Sequence, residues 1–600
     1  MQEDKNKQSY LELQTTVFQW ILKTCFPDRV RGRNTINDGL ENVIELCLLT
    51  NFKVCWNLAQ KNKKLKEWLN KSIINRATNK ADPRPYRLTT WGHYTSWDSL
   101  TDRSFSGRHL PPSEQENLPD LEEVKNLFLR ESDVVESEKS SLLFSYFVQW
   151  FADGFLVIDE NNSLKNKSTH NLDLSPLYGF TPEETKNLRL WKDGRLKSQY
   201  IVNSEDEEEE YPCYYYLEND VYTDSEGSPL QSQHFPKLKP PKPASLVKPE
   251  KLKKLFAMGK MNGNVQIGFV IMNTLFLREH NRICQELKGK LGEELPEDWV
   301  EDWQDAEKRD ERLFQTARNI LIVLLLKIVI EEYVNHITPY HFKFILDPLS
   351  FTKERWYRQN WMAVEFNLLY RWHSLVPNTI NLGQDTTVPI SETLWETDLV
   401  IHRGLGCLFE AASSQPAGKI GLRNTPSFLI DREKTSLEVG RKARLRSYND
   451  YREMCGLPKV TDFDQIIGTR DPVTGKVNPR AQFIQEKLRD LYKHDVNNIE
   501  LYTGLFAEEP RPNSAIAPLM ARLIVIDAFS QVFTNPLLAE TVFSEKGKDG
   551  SVVAPSPKTF SSVGCDIIKN TCCLSDILHR NSLTDKHFQV SLSLDKHRTG

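Results

Sequence analysis

The most apolar stretch of the chain, Ile320 to Ile330, constrains its fold more than any other segment. A membrane-spanning helix needs roughly 18 or more consecutive apolar residues. This stretch carries Lys327 and is followed at once by Glu331 and Glu332, so it reads as the centre of a helix buried in a protein core. The helical spacing of apolar residues extends over 311–337 and recurs over 265–287, 361–373, 433–454 and 516–533, with shorter pieces at 121–128 and 142–156. Period-two alternation is scarce and no internal repeat is visible, so the predicted fold class is mainly α.

Two regions divide the chain. Residues 1–110 form an N-terminal segment of short amphipathic helical pieces. They are centred on Val17, Trp20 and Ile21; on Ile44 to Trp56; and on Leu65, Trp68, Leu69, Ile73 and Ile74. Lys61, Lys63, Lys64, Lys66 and Lys71 flank them. Trp on one side and Lys at the rim suit a helix lying in a membrane interface without crossing it, and suit equally a helix packed on the next domain. Pro111 and Pro112 open the second region, 111–600, expected to be a helical catalytic domain. Within it, the acidic run from Glu205 to Glu210 and the Pro- and Lys-rich stretch 236–249 read as solvated surface without a catalytic role.

Composition excludes several classes. Lys plus Arg is 77 and Asp plus Glu is 82, a net charge of −5, so no basic excess points to nucleic acid. Ten cysteines in 600 residues, with no C-x-x-C pair, argue against a disulfide scaffold and a zinc site. Residues 1–10 are polar and lack the apolar core of a signal peptide, so the expected location is the cytoplasm or the periphery of a membrane.

Against this background Tyr370 and His373 stand out. They are three residues apart in EFNLLYRWH, 365–373, and on a helix such positions share a face. Either residue alone is ordinary core. Together, around a haem, the imidazole would ligate iron while the phenol lay close enough to be oxidised to a radical that abstracts hydrogen.

The surrounding motifs give that pair a context. TLFLREHNR at 274–282 resembles the haem peroxidase family of animals. DERLFQTAR at 310–318, KIVIEEYV at 327–334 and EFNLLYRWH at 365–373 follow at the spacing of its prostaglandin-endoperoxide synthase, or cyclooxygenase, branch. The resemblance runs from about Leu49 to about Leu578, without the N-terminal cysteine cluster of the animal enzymes. It implies haem b iron on His373, a radical at Tyr370, and a polyunsaturated fatty acid and O2 as substrates. It also implies peripheral membrane contact and the homodimer common in the family. Arg76 and Tyr340 match the pair that holds a fatty-acid carboxylate, a task suited to the planar donors of Arg.

The chain departs from the family at several positions. Gln149 matches the distal glutamine, but Asp153 replaces the distal histidine, and a carboxylate of pKa about 4 is a weak base for peroxide cleavage. His170 matches another family histidine. Along 514–535, Ala528 replaces the serine that aspirin acetylates, and Arg522 replaces a glutamate near the mouth. Asp527 replaces a phenylalanine, and Gln531 a glycine near the closed end. The reading that follows is a haem-dependent fatty-acid oxygenase of the cyclooxygenase type. A hydroperoxide-forming dioxygenase, a plain peroxidase and an inactive scaffold are the alternatives.

Overall fold

The computed structural model describes residues 53–79, 102–215, 221–223, 229–231, 248–291, 299–470, 475–583 and 590–594, apart from 103, 115–117, 132, 205, 358–360, 512 and 548. The apolar pieces around Val17 and Ile44, and nearly all of 236–249, lie outside the described residues. The helices that position the site are, in chain order, α1 (Lys53–Ala59), α2 (Lys63–Thr78), α3 (Leu142–Phe155), α4 (Ile267–Leu291), α5 (Ala306–Ile328), α6 (Val364–Leu369), α7 (Ile430–Lys442), α8 (Pro518–Phe533), α9 (Pro557–Asn570) and α10 (Leu574–Arg580). Strands among the described residues occur only as two-stranded pairs.

α5 is the apolar stretch seen in the sequence. The Asp305 side chain caps it by accepting the N–H groups of Glu307 (2.9 Å) and Lys308 (3.3 Å), which satisfies donors that a helix start leaves open. The helical run Ala306–Ile337 is apolar enough to cross a membrane, yet 78% of its apolar window is buried inside the protein. α4 packs on α5 and on α3, and α9 packs on both α5 and α4. α4 meets α3 closely at Gly268, where an added Cβ would lie 2.0 Å from the ring of Tyr146.

Past Ile328 the helix widens into a π turn, Val329–Val334, before a last α turn at Asn335–Ile337. One residue too many for an α turn is accommodated here, and such turns gather at functional positions. This one carries Tyr333 into the core.

Two expectations are corrected. The run 433–454 is two helices, α7 and Tyr448–Met454. The acidic run is not a free excursion. Glu208–Pro212 pairs antiparallel with Ser198–Val202, Glu209 bonds Arg278 (2.7 Å), and Glu210 bonds Asn281 (2.7 Å). Two of the six acidic side chains, Glu209 and Glu210, thus hold a hairpin onto α4.

Burial pushes the Glu332 carboxyl, in the π turn, from 4.5 up to about 7. Between those values the folded chain keeps a proton that the unfolded chain has lost. This group's contribution to stability is therefore complete below about pH 4.5 and is lost as pH rises to about 7. Glu332→Gln should flatten the fall of Tm across that window in thermal unfolding scans, and an unchanged slope would show that Glu332 is not the titrating group.

Candidate functional site

Tyr370 and His373 do not share one helix face. α6 ends at Leu369, Tyr370 is its C-cap, and His373 opens a separate 3-10 turn, His373–Leu375. Trp372, at φ −86° and ψ 50°, breaks the helix between them. Tertiary packing overrides the helical period here. The Trp372 ring lies tilted against Tyr370 with centroids 5.2 Å apart, and its Nε1–H donates to Met520 Sδ on α8 at 3.2 Å. The break sends the two side chains into different neighbourhoods.

Tyr370 sits in an aromatic cage of Phe155, Phe366 and Trp372. The hydroxyl of Tyr333, from the π turn, donates to the Tyr370 oxygen at 3.1 Å. Burial first, and the charge of Asp527 in addition, push the Tyr370 phenol above its usual range, so it stays a neutral phenol.

His373 is held by a buried carboxylate. Its Nδ1 lies 3.0 Å from Glu433 Oε1 on α7. Thr425 donates to the same oxygen at 2.8 Å, and the Tyr502 hydroxyl donates to Glu433 Oε2. A carboxylate accepts only, so His373 Nδ1 carries the proton and Nε2 is left with its lone pair. No other hydrogen bond to the ring occurs among the described residues.

α3 crosses this region with Gln149 and Asp153 one turn apart, on the less buried edge of an otherwise buried helix. The Asp153 carboxylate is 2.7 Å from Lys260 Nζ, an ion pair that occupies it. His170 accepts the Met362 N–H on Nδ1 at 2.9 Å, a structural bond.

A cavity lies between α2 and α8, with about 540 Å³ of empty space that includes open solvent. Tyr340, Arg511 and Arg522 line it beside the apolar Ile73, Val525 and Phe529. The Tyr340 hydroxyl makes no hydrogen bond among the described residues. Arg76 does not line this cavity. It is exposed on α2, while Ile73 and Ala77 face inward. Ala528 and Gln531 do not line it either. Both are buried, and Gln531 Nε2 contacts Met362 Sδ at 2.9 Å.

The animal haem peroxidase family model matches residues 154–592. The chain belongs to the animal haem peroxidase family. It is 30% identical over 550 residues to prostaglandin G/H synthase 2 of Mus musculus, covering 89% of this chain and 80% of that one. Peroxidase A of Dictyostelium discoideum shares the fold at TM-score 0.57 and 18% identity, over 80% of this chain and 92% of that one. A fatty acid alpha-dioxygenase of Arabidopsis thaliana does so at TM-score 0.55 and 16% identity, over 80% and 77%.

The residues present fit the haem of this peroxidase family. His373 would offer Nε2 to the iron, and Glu433 fixes its tautomer in the way of the second contact of a metal-bound imidazole. Arg371 provides a further sign. Its Nε–H is buried without an acceptor, and its Nη2 bonds Asn367 at 2.6 Å. Burial lowers its affinity for the proton, and the charges of Asp153 and Glu433 partly offset that. A cation with an orphaned donor, within the electrostatic reach of both Asp153 and Glu433, suits the propionate edge of haem b.

Sequence reasoning did not single out Glu433, Arg371, Lys260, Arg511 or His109. Arg371 lay inside a quoted motif and could have been found as a charge between two apolar aromatic positions. The others carry no local signal, because their partners lie far away in the chain. His109 is the clearest case. Its Nε2 is 2.9 Å from Asp527 Oδ2, with both side chains almost wholly buried.

Glu433→Gln should weaken the grip on the His373 tautomer and lower haem affinity or turnover by about 10- to 100-fold. Haem titration followed at the Soret band, beside the haem midpoint potential, checks this. Unchanged affinity and potential would remove Glu433 from the proximal role.

Proposed function

We propose that the chain catalyses haem-dependent dioxygenation of a polyunsaturated fatty acid, with Tyr370 as the hydrogen-abstracting group. The observation that carries this reading is the caged, neutral phenol of Tyr370, bonded to Tyr333 and three residues from an imidazole held ready for iron by Glu433. The curated relatives are prostaglandin G/H synthases, which supports it.

When bound, the haem supplies the oxidising equivalent. Tyr370 gives up its hydroxyl hydrogen, and the phenoxyl then takes a hydrogen from a bis-allylic carbon. The resulting carbon radical is delocalised over a pentadiene, which is why that hydrogen is the weak one, and O2 adds to it. Tyr333, donating to the Tyr370 oxygen, keeps the ring oriented through the exchange. Phe155, Phe366 and Trp372 exclude water from the radical.

At the mouth, Arg522, Arg511 and Tyr340 bind the carboxylate. This assigns to Arg522 the anchoring role that the sequence suggested for Arg76, because Arg522 faces the cavity and Arg76 does not. Lys260 occupies Asp153, so proton shuttling on the distal side is slow and plain peroxidase turnover is subordinate. The product is of the prostaglandin endoperoxide type, as with the relatives. A single oxygenation to a hydroperoxide is favoured instead by the buried polar contacts His109–Asp527 and Gln531–Met362. Mass spectrometry of the product from arachidonate and linoleate separates the two.

Peripheral membrane contact belongs to the same proposal. Val54, Leu58 and Trp68 on α1 and α2 are exposed, Trp68 at 62%, among the lysines of that segment. Flotation of the chain with liposomes is the check. A homodimer rests on the family resemblance alone.

Tyr370→Phe should retain the Soret band and abolish oxygen uptake, because phenylalanine has no hydroxyl hydrogen to give. Substantial uptake by this variant would end the radical assignment.

Arg522→Gln should raise KM for a free fatty acid roughly 10- to 200-fold, the loss of about 1.5–3 kcal/mol for a charge-assisted hydrogen bond. The methyl ester should be scarcely affected, and Arg76→Gln should change neither. A reversed pattern, with Arg76→Gln selective for the acid, would return the anchor to α2.

A further inference from the structure

Away from the haem and the cavity, the turn between α9 and α10 holds two adjacent thiols. Cys573 is the N-cap of α10 and its side chain accepts the N–H of Asp576. The Asp576 carboxylate in turn accepts the N–H groups of Cys572 (2.7 Å) and Cys573 (3.1 Å). This reciprocal capping box pins both cysteines. The two sulfurs and a carboxylate oxygen of Asp576 lie within 4.8 Å of one another.

The thiols are not equivalent. Cys572 is exposed and Cys573 half-buried. A hydrogen bond from Cys573 holds the Cys572 thiol below its usual range, against burial and the charges of Asp576 and Glu331. The same contact, with burial and the charge of Glu332, pushes Cys573 far up. An accessible thiol held below its usual range, with a second, less exposed thiol adjacent to it, is the arrangement of a peroxide-reactive cysteine and its resolving cysteine. Cys213, Cys284, Cys455 and Cys565 are buried, and burial pushes the last three up.

We propose that Cys572 and Cys573 form a redox centre that reduces an organic hydroperoxide and closes to a vicinal disulfide. The Cys572 thiolate attacks the terminal peroxide oxygen. An S–O bond forms, the O–O bond breaks, and the alkoxide takes a proton to leave as an alcohol. Cys573 then attacks the Cys572 sulfur of the sulfenic acid. The S–S bond forms, the S–O bond breaks, and hydroxide leaves with the Cys573 proton as water. In sum, one hydroperoxide and two thiols give an alcohol, water and one disulfide, with two electrons passing from sulfur to oxygen. Adjacent Cα atoms are about 3.8 Å apart, closer than an ordinary disulfide spans, so the ring is strained and readily reopened by a thiol reductant. The oxidant class is one that a fatty-acid dioxygenase generates, but the centre itself needs no particular fatty acid.

The test uses the full-length holoenzyme and tert-butyl hydroperoxide, which does not depend on the fatty-acid reading. After treatment, alkylation with iodoacetamide and tryptic digestion, peptide 570–580 should appear unalkylated and lighter by two hydrogens. Dithiothreitol before alkylation should restore the doubly alkylated form. In Cys573→Ser, Cys572 should stop at a sulfenic acid that dimedone traps. The proposal is overturned if the wild-type peptide stays doubly alkylated, goes directly to sulfinic or sulfonic acid, or links to another cysteine. Failure of fatty-acid oxygenation would leave this result untouched, and the reverse also holds.

Discussion

A buried carboxylate organises the proximal half of the site. Glu433 is 1% exposed, and losing one hydrogen bond to such a buried charge costs about 1.5–3 kcal/mol. Three donors meet it, from His373, Thr425 and Tyr502. They come from the 3-10 turn after α6, from the loop before α7, and from the helix Leu501–Ala507. The need to satisfy Glu433 therefore fixes the relative placement of three segments and the tautomer of the imidazole together. Iron ligation at His373 would use a geometry that folding has already settled.

The break between Tyr370 and His373 follows from the same packing. A continuous helix would aim both rings into one space. The observed turn gives each its own environment, a carboxylate for the imidazole and an apolar cage with one phenol donor for the tyrosine. The π turn in the facing helix performs the matching adjustment, since it brings Tyr333 to the Tyr370 oxygen. Two local departures from α geometry, on facing elements, thus build one hydrogen bond.

What the sequence revealed divides along the same line. The long helices were legible because their apolar period is carried by many residues, as in α4, α5 and α8. Tyr370 and His373 were legible from a motif, though not their geometry, because Trp372 forms its decisive contact with Met520, 148 positions away. The acidic run was misread for a related reason. A row of glutamates looks solvated until Arg278 and Asn281, remote in sequence, are seen to meet it. Arg522 lines the cavity and Arg76 does not, a difference the sequence hides because helical phase near a helix end, with a gap in the match, does not say which side chain faces a cavity.

The polar wall beside Tyr370 carries a consequence for the chemistry. Asp527 and His109 are buried together, and the His109 backbone N–H also bonds Glu365 on α6 at 2.9 Å. The pair therefore ties the segment around His109 to α8 on one side and to the helix that presents Tyr370 on the other. Removing either partner would leave an uncompensated polar group in the core, so the wall cannot become apolar one residue at a time. The carboxylate also acts on the phenol. A phenolate beside Asp527 would set two negative charges in a medium of low dielectric, which is costly. Loss of a hydrogen atom converts a neutral phenol into a neutral radical and creates no such pair. The charge that makes Tyr370 a poor acid is thus no obstacle to its serving as a hydrogen-atom donor, and it biases the residue towards that single kind of reactivity.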